Sequence, residues 1–450
     1  MVHLKRKEKN MQPIRVGLLG VGTVGAGVFS VLARNGDEIE RRSGRRLEVV
    51  QVSRRDVAAA QAIVGDQAAI TADPFDVVNN PNIDVVVELI GGYTLAKELV
   101  LAAIANGKHV VTANKALLAV HGPEIFEAAR QKSVVVAFEA AVAGGIPIIK
   151  TLREGMSANR VDWLAGIING TTNFILSEMR SKGLSFAEVL KQAQALGYAE
   201  ADPTFDIEGV DAAHKLSLMS AIAFGVQVQF DKAHIEGITQ LQTEDIRYAE
   251  QLGYRIKLLG ITKRVAAGVE LRVHPTLVPA DHLLANVEGP MNAVVAHGDA
   301  VGTILSYGQG AGGEPTASAV VADMVDLARV IDADAAHRVP VLGFQPASLS
   351  DLPVLPMAQV ITSYYLRMRV KDQAGVLAQL TSILAQHNIS VDAMLQREAA
   401  AVGGENSHQT DLIVLTHDTQ EGDMDQAIAH MEALDAVLAP ITRIRKEGLA

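Results

Sequence analysis

Five carboxylates and one lysine share residues 197–215, and these residue types could together carry out acid–base chemistry on a small molecule. Pro203 and Gly209 stop a helix from running through the stretch. Beyond Gly209, apolar residues recur every three or four positions, which predicts a helix. Asp211 and Lys215 are four residues apart on that helix, so their side chains can touch. The pattern suits a substrate with an amino group and a lysine proton donor, but an acidic surface loop followed by an ordinary Asp–Lys pair fits it too.

A glycine-rich turn near the beginning lies between a short apolar strand, residues 14–19, and a predicted helix. Its spacing, G-x-G-x-x-G, is the dinucleotide-binding fingerprint, in which the glycines allow a tight turn, close approach of a pyrophosphate and helix packing. The helix N-terminus then faces the phosphates. A glycine turn without a ligand is the alternative. The cofactor residues predicted here are Gly20, Gly22, Thr23, Val24 and Gly25.

The end of the second predicted strand decides which dinucleotide fits. Arg54 and Arg55 stand where an NAD site usually has one acidic residue, and two arginines favour the 2′-phosphate of NADP. Asp56 keeps NAD open. Gly91 and Gly92 follow a further buried strand, at the edge of the sheet that faces a cofactor.

Three more strand ends carry polar groups. Lys115 follows the strand at residues 109–112, where an unpaired lysine can hold a carboxylate or polarise a carbonyl, although a surface lysine fits equally well. The tight turn at residues 139–147 has one carboxylate and several carbonyls, which suits a cation with oxygen ligands. Thr171 lies at the start of another predicted helix, where hydroxyl and N–H groups can receive a carboxylate or simply cap the helix.

The composition narrows the chemistry and the partners. The net charge of −11 over 450 residues argues against nucleic acid and anionic membranes, and no apolar run is long enough to span a bilayer. The chain has no cysteine, which fits a cytoplasmic protein and excludes a thioester mechanism. A dehydrogenase with this composition is expected to work between an aldehyde and an alcohol. Residues 1–13 are basic with no apolar segment, which indicates a solvated tail rather than a secretory signal.

The chain resembles the homoserine dehydrogenases, in the monofunctional form that carries a C-terminal ACT domain. The resemblance covers about residues 13–445. It is carried by residues 20–25, 112–115, 139–147, 169–173, 308–323 and, most specifically, 197–215.

The resemblance implies interconversion of L-aspartate 4-semialdehyde and L-homoserine with NADP or NAD. It implies Lys215 as the proton donor, with Lys115 and Asp211 as further catalytic residues. The substrate residues that it implies are Glu200, Asp206, Tyr198, Thr171 and Gly170. It adds Lys115 and Gly312 to the cofactor residues. It also implies a Na⁺ or K⁺ site at Glu139, Val142, Gly144 and Ile146, mostly through backbone oxygens.

The last part of the chain follows a proline-rich passage and has the predicted element order βαββαβ of an ACT domain. Gly375, at the start of its first helix, lets a ligand approach the backbone. The resemblance implies threonine as the effector, with Asp372, Gly375 and Val376 as contacts, and a domain that only dimerises is the alternative.

The predicted fold class is α/β, with a Rossmann-type doubly wound domain, an α+β substrate and dimerisation domain, and an ACT domain. The predicted bounds are residues 13–140, 141–338, a linker at 339–360, and 361–447. A homodimer or homotetramer is expected. Two other functions stay open at this point: a non-catalytic amino-acid sensor that keeps a dinucleotide fold, and another oxidoreductase of the same superfamily.

Overall fold

The computed structural model describes residues 12–396 and 408–449. The predicted amino-terminal tail lies almost wholly outside these residues. Two compact units are present. The first comprises the residues up to Ala158 together with Leu218–Val228 and Gly308–Ser350, and the second comprises Asn159–Ser217, Gln229–Tyr307 and the residues from Asp351 on. The step from Ser350 to Asp351 falls inside the predicted linker, while the predicted domain bounds themselves stay a prediction.

The first unit is built on a parallel sheet with the order β3-β2-β1-β4-β5-β6. The order reverses between β1 and β4, as expected for a doubly wound fold. Its strands are β1 (Ile14–Leu19), β2 (Leu47–Ser53), β3 (Ala69–Thr71), β4 (Val85–Glu88), β5 (His109–Thr112) and β6 (Val136–Ala137). Its helices are α1 (Thr23–Ser43), α2 (Val57–Val64), α3 (Pro74–Asn79), α4 (Thr94–Ala105), α5 (Lys115–Gln131), α6 (Ile148–Lys150, continued by a π turn over Thr151–Gly155) and α12 (Gly313–Val330).

The second unit holds a long mixed sheet with the order β12-β11-β7-β9-β10-β17-β13-β15-β14. Its strands are β7 (Val161–Ile167), β8 (His234–Ile235), β9 (Tyr254–Val265), β10 (Gly268–Pro279), β11 (Met291–Gly298), β12 (Gly302–Gln309), β13 (Ile361–Lys371), β14 (Val391–Gln396), β15 (Gln409–Thr416), β16 (Thr419–Gln420) and β17 (Thr442–Lys446). Its helices are α7 (Gly170–Lys182), α8 (Phe186–Ala195), α9 (Thr204–Ile207), α10 (Val210–Phe224), α11 (Thr243–Gln251), α13 (Val376–Gln386) and α14 (Glu421–Glu432). The last residues of α10 and of β12 belong to the first unit.

The C-terminal part has the predicted βαββαβ order, from β13 through α13, β14, β15 and α14 to β17. Its core is formed by alternate residues of β13 packed against both helices, including Tyr364, Leu366, Leu380 and Met424. The last strand, β17, pairs antiparallel with β13 and parallel with β10. The sheet of this part therefore continues directly into the sheet of the preceding part of the second unit.

Helix α10 differs from its prediction. The sequence predicts one apolar face and a second face shared by Asp211 and Lys215, whereas the helix is buried on all sides from residue 211 to residue 224. An all-round buried helix belongs to a protein core or a membrane. Among the helices of the described ranges, none has the length and apolar character to cross a bilayer. The Asp–Lys pair is therefore a core feature, and the surface-pair alternative is wrong.

Candidate active site

Lys215 lies at the centre of a buried polar group in the second unit. Its side chain is only 11% exposed, because α10 is packed on all sides. The ammonium Nζ donates to Asp211 Oδ2 at 2.7 Å and to the carbonyl oxygen of Ile168 at 2.7 Å. The predicted contact across one helical turn is therefore present, with a backbone carbonyl as the second acceptor. Both acceptors fix the direction in which the ammonium points.

Asn169 joins the two carboxylates of this group. Its Nδ2 donates to Asp206 Oδ1 at 2.7 Å and to Asp211 Oδ2 at 2.9 Å. Its Oδ1 accepts from the backbone N–H of Thr172 at 2.8 Å and so caps α7, which begins at Gly170. Asn169, Asp206, Asp211 and Lys215 are called the lysine cluster below. Asn169 was not among the predicted site residues, although an Asn directly before a helix is a recognisable capping signal.

The rim of the lysine cluster is formed by the acidic loop and the start of α7. Thr171 Oγ1 donates to the carbonyl oxygen of Tyr198 at 2.7 Å and lies 3.5 Å from Asp206 Oδ2. The Tyr198 ring packs against Phe174, with centroids 4.9 Å apart. Glu200 is exposed, and its carboxylate has no hydrogen bond to a described residue.

Gly170 is set by packing rather than by the polar contacts of the cluster. A Cβ at this position would stand 2.7 Å from the carbonyl oxygen of Pro290, so the first turn of α7 requires a glycine there. Of the predicted substrate residues, Thr171 and Asp206 therefore meet at the cluster, Tyr198 takes part through its backbone, and Glu200 stands apart.

The lysine cluster has the charges for a specific task. Asp211 contacts the ammonium of Lys215 directly, and the amide of Asn169 joins Asp211 to Asp206. Carboxylates in such a poorly solvated place attract a substrate cation. The cluster can therefore hold a substrate ammonium beside a proton donor.

The glycine turn of the first unit has the predicted geometry. Gly20 has φ +95°, which favours glycine, and a Cβ on Gly25 would stand 2.5 Å from the carbonyl oxygen of Gly20. Gly22 caps α1 without a side-chain hydrogen bond, and the first turn of α1 has no acidic residue. A Cβ on Gly22 would meet no atom within 4 Å. The N-terminus of α1 is thus open to an anion such as a pyrophosphate.

Glu88 organises the neighbouring strand end and was not predicted. It is fully buried, accepts from the backbone N–H groups of Ile90 and Gly91 at 2.9 and 3.2 Å, and accepts from Thr112 Oγ1 at 2.7 Å. Burial raises the pKa of this carboxyl. Gly91 and Gly92 then turn with φ +72° and +68°. The only sequence signal was one acidic residue at the end of an apolar strand. Five glycines at this end of the parallel sheet are together called the nucleotide edge: Gly20, Gly22, Gly25, Gly91 and Gly92.

The two arginines after β2 have different surroundings. The guanidinium of Arg54 donates to the carbonyl oxygen of Val21 at 2.5 Å, inside the glycine turn. Arg55 is exposed and makes no ion pair with a described residue. Asp56 caps α2 by accepting from Ala59 N at 3.0 Å. Asp56 therefore has a structural role, and Arg55 is the charge that stays available at this strand end.

Two further predicted residues lie in the first unit. Gly312 has φ +129° and caps α12, whose first residue, Gly313, lies against Thr23. The late glycine is therefore next to the glycine turn. Lys115 is the first residue of α5, after Asn114, which caps that helix and donates to the carbonyl oxygen of Gly92 at 2.5 Å. Lys115 thus stands at the carboxyl end of β5, on the same edge as Gly92.

The predicted cation turn also lies in the first unit. The Glu139 carboxylate accepts from the backbone N–H groups of Ile149 and Lys150 at 2.8 and 2.9 Å, so it caps α6. Burial raises the pKa of this carboxyl. Ala143 and Gly144 both have φ +55°, which is a strained conformation for alanine. Among the described residues no cluster of three acidic or histidine side chains could hold a metal. A cation here therefore depends on backbone oxygens, including those of the predicted Val142 and Ile146.

The predicted effector residues lie at one helix start in the C-terminal part. Gly375 has φ +94° and caps α13, whose first residue is Val376. Asp372 is exposed, and its backbone N–H donates to the carbonyl oxygen of His408 at 2.8 Å. The N-terminus of α13 has no side-chain cap, and the backbone N–H of Val376 donates to the carbonyl oxygen of Gln373 at 3.3 Å.

Family models and relatives match almost the whole chain. Residues 20–139 match the NAD binding domain of homoserine dehydrogenase, residues 147–325 match homoserine dehydrogenase, and residues 364–436 match the ACT domain. The homoserine dehydrogenase of Pseudomonas aeruginosa is 59% identical over 98% of this chain and its own full length. That of Neisseria gonorrhoeae is 56% identical over the same shares.

A solved structure gives the same result. The crystal structure of a homoserine dehydrogenase from Thiobacillus denitrificans superposes with a TM-score of 0.93 at 61% identity, and the match covers 98% of this chain and all of that one. The predicted Rossmann-type, second-sheet and ACT architecture is confirmed, as is NAD(P)-dependent oxidoreductase activity. The chain belongs to the homoserine dehydrogenase family.

Proposed function

We propose that the lysine cluster is the place where this enzyme interconverts L-aspartate 4-semialdehyde and L-homoserine. The observation that carries the proposal is the buried contact of Lys215 with Asp211 at 2.7 Å, beside Asp206. Reduction of the aldehyde leaves negative charge on its oxygen, and a fixed ammonium both stabilises that charge and supplies the proton. In the oxidation of homoserine, neutral Lys215 takes the hydroxyl proton instead.

The other residues orient the reactants. Asp206 receives the substrate ammonium, with Glu200 closing over it from its exposed position and Thr171, Tyr198 and Gly170 shaping the pocket. Asp211 and the carbonyl oxygen of Ile168 hold Nζ of Lys215 towards the substrate. Lys115, at the carboxyl end of β5, polarises or positions the substrate. The bound nicotinamide supplies or accepts the hydride.

We propose NADP as the preferred cofactor. The nucleotide edge, together with Thr23, Val24 and Gly312, fits a dinucleotide because its backbone is open where the pyrophosphate approaches. Arg55 is exposed at the end of β2 and binds the 2′-phosphate, while Arg54 braces the glycine turn. Arg55→Ala is expected to raise the KM for NADP about tenfold and leave that for NAD unchanged, since it removes one charge-assisted phosphate contact. Arg46→Ala, which alters an exposed arginine before β2, is the control.

A monovalent cation and an effector complete the proposal. Na⁺ or K⁺ binds the backbone oxygens at Glu139, Val142, Gly144 and Ile146, in the turn where Ala143 and Gly144 both have φ +55°. Threonine, an end product of the pathway to threonine, methionine and isoleucine, binds at the start of α13 and inhibits a homodimeric or homotetrameric enzyme.

The deciding experiment is homoserine-dependent reduction of NADP and of NAD by the purified protein, with Na⁺ or K⁺ present and with or without threonine. Faster reduction of NADP, suppressed by threonine, supports the whole proposal. Activity that threonine does not change removes the effector and keeps the enzyme. Absence of activity with both cofactors in folded protein overturns the assignment of the lysine cluster.

A further inference from the structure

The turn between Asp206 and Asp211 is supported from behind by residues 235–238. Ile238 N donates to the carbonyl oxygen of Ile207 at 2.9 Å. Gly237 lies so close that a Cβ on it would stand 2.6 Å from Cα of Glu208. The chain that joins Asp206 to Asp211 runs through this turn, residues 207–209. A shift of its support would therefore move Asp206 relative to Asp211.

Residues 235–238 are themselves held by the last strand of the protein. Glu236 directly follows β8, and β8 and β17 pair in succession along the same edge of β10. Arg445 of β17 forms two hydrogen bonds with Glu236, from Nη1 at 2.8 Å and from Nη2 at 2.9 Å. Such a bidentate pair fixes both position and orientation.

Burial and further hydrogen bonds fix the side chain of Arg445 in the orientation that pairs with Glu236. Arg445 is 1% exposed, and its Nε donates to Glu421 Oε2 at 2.8 Å. The Glu421 carboxylate is in turn held by the hydroxyl of Tyr364 at 2.7 Å. Burial alone would raise the pKa of Glu236, but hydrogen bonds from His234 and Arg445 hold it well below the ordinary value. The pair is therefore charged across the ordinary pH range.

We propose that Arg445 and Glu236 are positioning residues of the active site, which fix the turn at residues 207–209 and through it the spacing of Asp206 and Asp211. The pair lies outside the lysine cluster, since Arg445 contacts Glu236 and Glu421. It makes the C-terminal strand a structural requirement for substrate binding, independent of any effector. The inference rests on the proposed role of the lysine cluster.

The chain provides a matched control pair. Arg367 of β13 and Asp245 of α11 also join the C-terminal part to the preceding part of the second unit, with side chains 7% and 0% exposed. Their remaining hydrogen bonds go to Gln242, Tyr365 and Thr442, and none reaches residues 206–211 or 235–238. Replacement of Arg367 therefore breaks a comparable buried ion pair without touching the support of the turn.

The test compares Glu236→Gln, Arg445→Met, their double variant and Arg367→Met in the full chain. We expect the KM for homoserine to rise about tenfold in the first two variants, with kcat within about threefold and the KM for NADP unchanged, because the turn is displaced rather than unfolded. The double variant should be no worse than the single ones, since both remove one interaction. Arg367→Met should lower the melting temperature and leave the KM for homoserine unchanged.

Two results overturn the inference. One is an unchanged KM for homoserine in Glu236→Gln, measured beside an active wild-type enzyme. The other is an equal rise of that KM in Arg367→Met, in proportion to the loss of thermal stability, which would make the effect one of general destabilisation. A wild-type enzyme that does not oxidise homoserine would instead refute the proposed function, so the two failures are distinguishable.

Discussion

The nucleotide edge of the first unit and the lysine cluster of the second unit are made of different parts of the chain. The nucleotide edge presents backbone N–H groups at the open end of α1, between glycines that let a ligand come close. The lysine cluster presents side chains that hold one another at 2.7 to 2.9 Å. A backbone site depends on few residue types at fixed spacing, whereas a side-chain site depends on which distant residues meet.

The buried carboxylates differ in the same way. In the first unit, Glu88 and Glu139 accept mainly from backbone N–H and hydroxyl groups, and burial raises their pKa values. In the second unit burial acts on Glu236 and Glu447 too, but partner cations outweigh it and lower their pKa values. Glu88 and Glu139 are therefore satisfied mainly by dipoles, whereas Glu236 and Glu447 are satisfied mainly by charges.

The largest effect is expected from a substitution in the lysine cluster. Lys215→Ala should lower kcat at least ~100-fold, because the proton donor is lost, and leave the affinity for NADP unchanged. Steady-state kinetics and cofactor titration measure both quantities. Lys257→Met is the control, since Lys257 is another buried lysine of the second unit, held by the carbonyl oxygen of Val287 at 2.6 Å. Turnover within threefold of wild type would refute the role of Lys215.

Substitution of Asn169 is expected to have the next largest effect on catalysis. Serine at this position can still cap α7, but its side chain is too short to reach both carboxylates. Asn169→Ser should therefore lower kcat/KM for homoserine about 10- to 100-fold, with little change of melting temperature. A loss of melting temperature with unchanged kcat/KM would show that Asn169 only stabilises the fold.

A pair of glycine variants tests the nucleotide edge, by separating ligand contact from packing. Gly22→Ala adds a methyl group into open space and should raise the KM for NADP about tenfold without loss of stability, because it blocks the approach of the pyrophosphate. Gly25→Ala forces a methyl group against the carbonyl oxygen of Gly20 and should lower the free energy of unfolding by about 1–3 kcal/mol. If both variants have the same effect, the division between ligand contact and packing is wrong.

The last prediction concerns pH and the buried carboxylate of Asp323. Asp323 is buried, accepts from the backbone N–H of Glu139 at 2.8 Å, and burial raises its pKa to about 7. Between its ordinary pKa and this value, the native state binds a proton that the unfolded state releases, so its contribution to stability falls as pH rises from about 4 to 7. Asp323→Asn should gain about 3 kcal/mol of unfolding free energy relative to wild type from pH 4.5 to 7.5, in urea titrations. A pH-independent difference would contradict the raised pKa.

Periodicity and glycine spacing predicted most of the fold correctly, because both are local. The strand–turn–helix around Gly20, the order βαββαβ and the contact of Asp211 with Lys215 each depend on residues near one another in the chain. The face assignment of α10 was wrong, because burial on all sides is imposed by other elements and is invisible in the spacing of one helix. Glu88 and Asn169 were missed for the same reason, since their partners lie up to 42 residues away.

The sequence by itself determined the dinucleotide turn, the acidic loop with its lysine, and the family. Each of these depends on particular residue types at short spacing along the chain. Only the tertiary structure decided that an asparagine joins Asp206 to Asp211, and that Arg445 supports the turn between them from 209 residues beyond Glu236. The physical reason is that buried charges need partners, and the partners are chosen by how sheets and helices pack rather than by sequence distance.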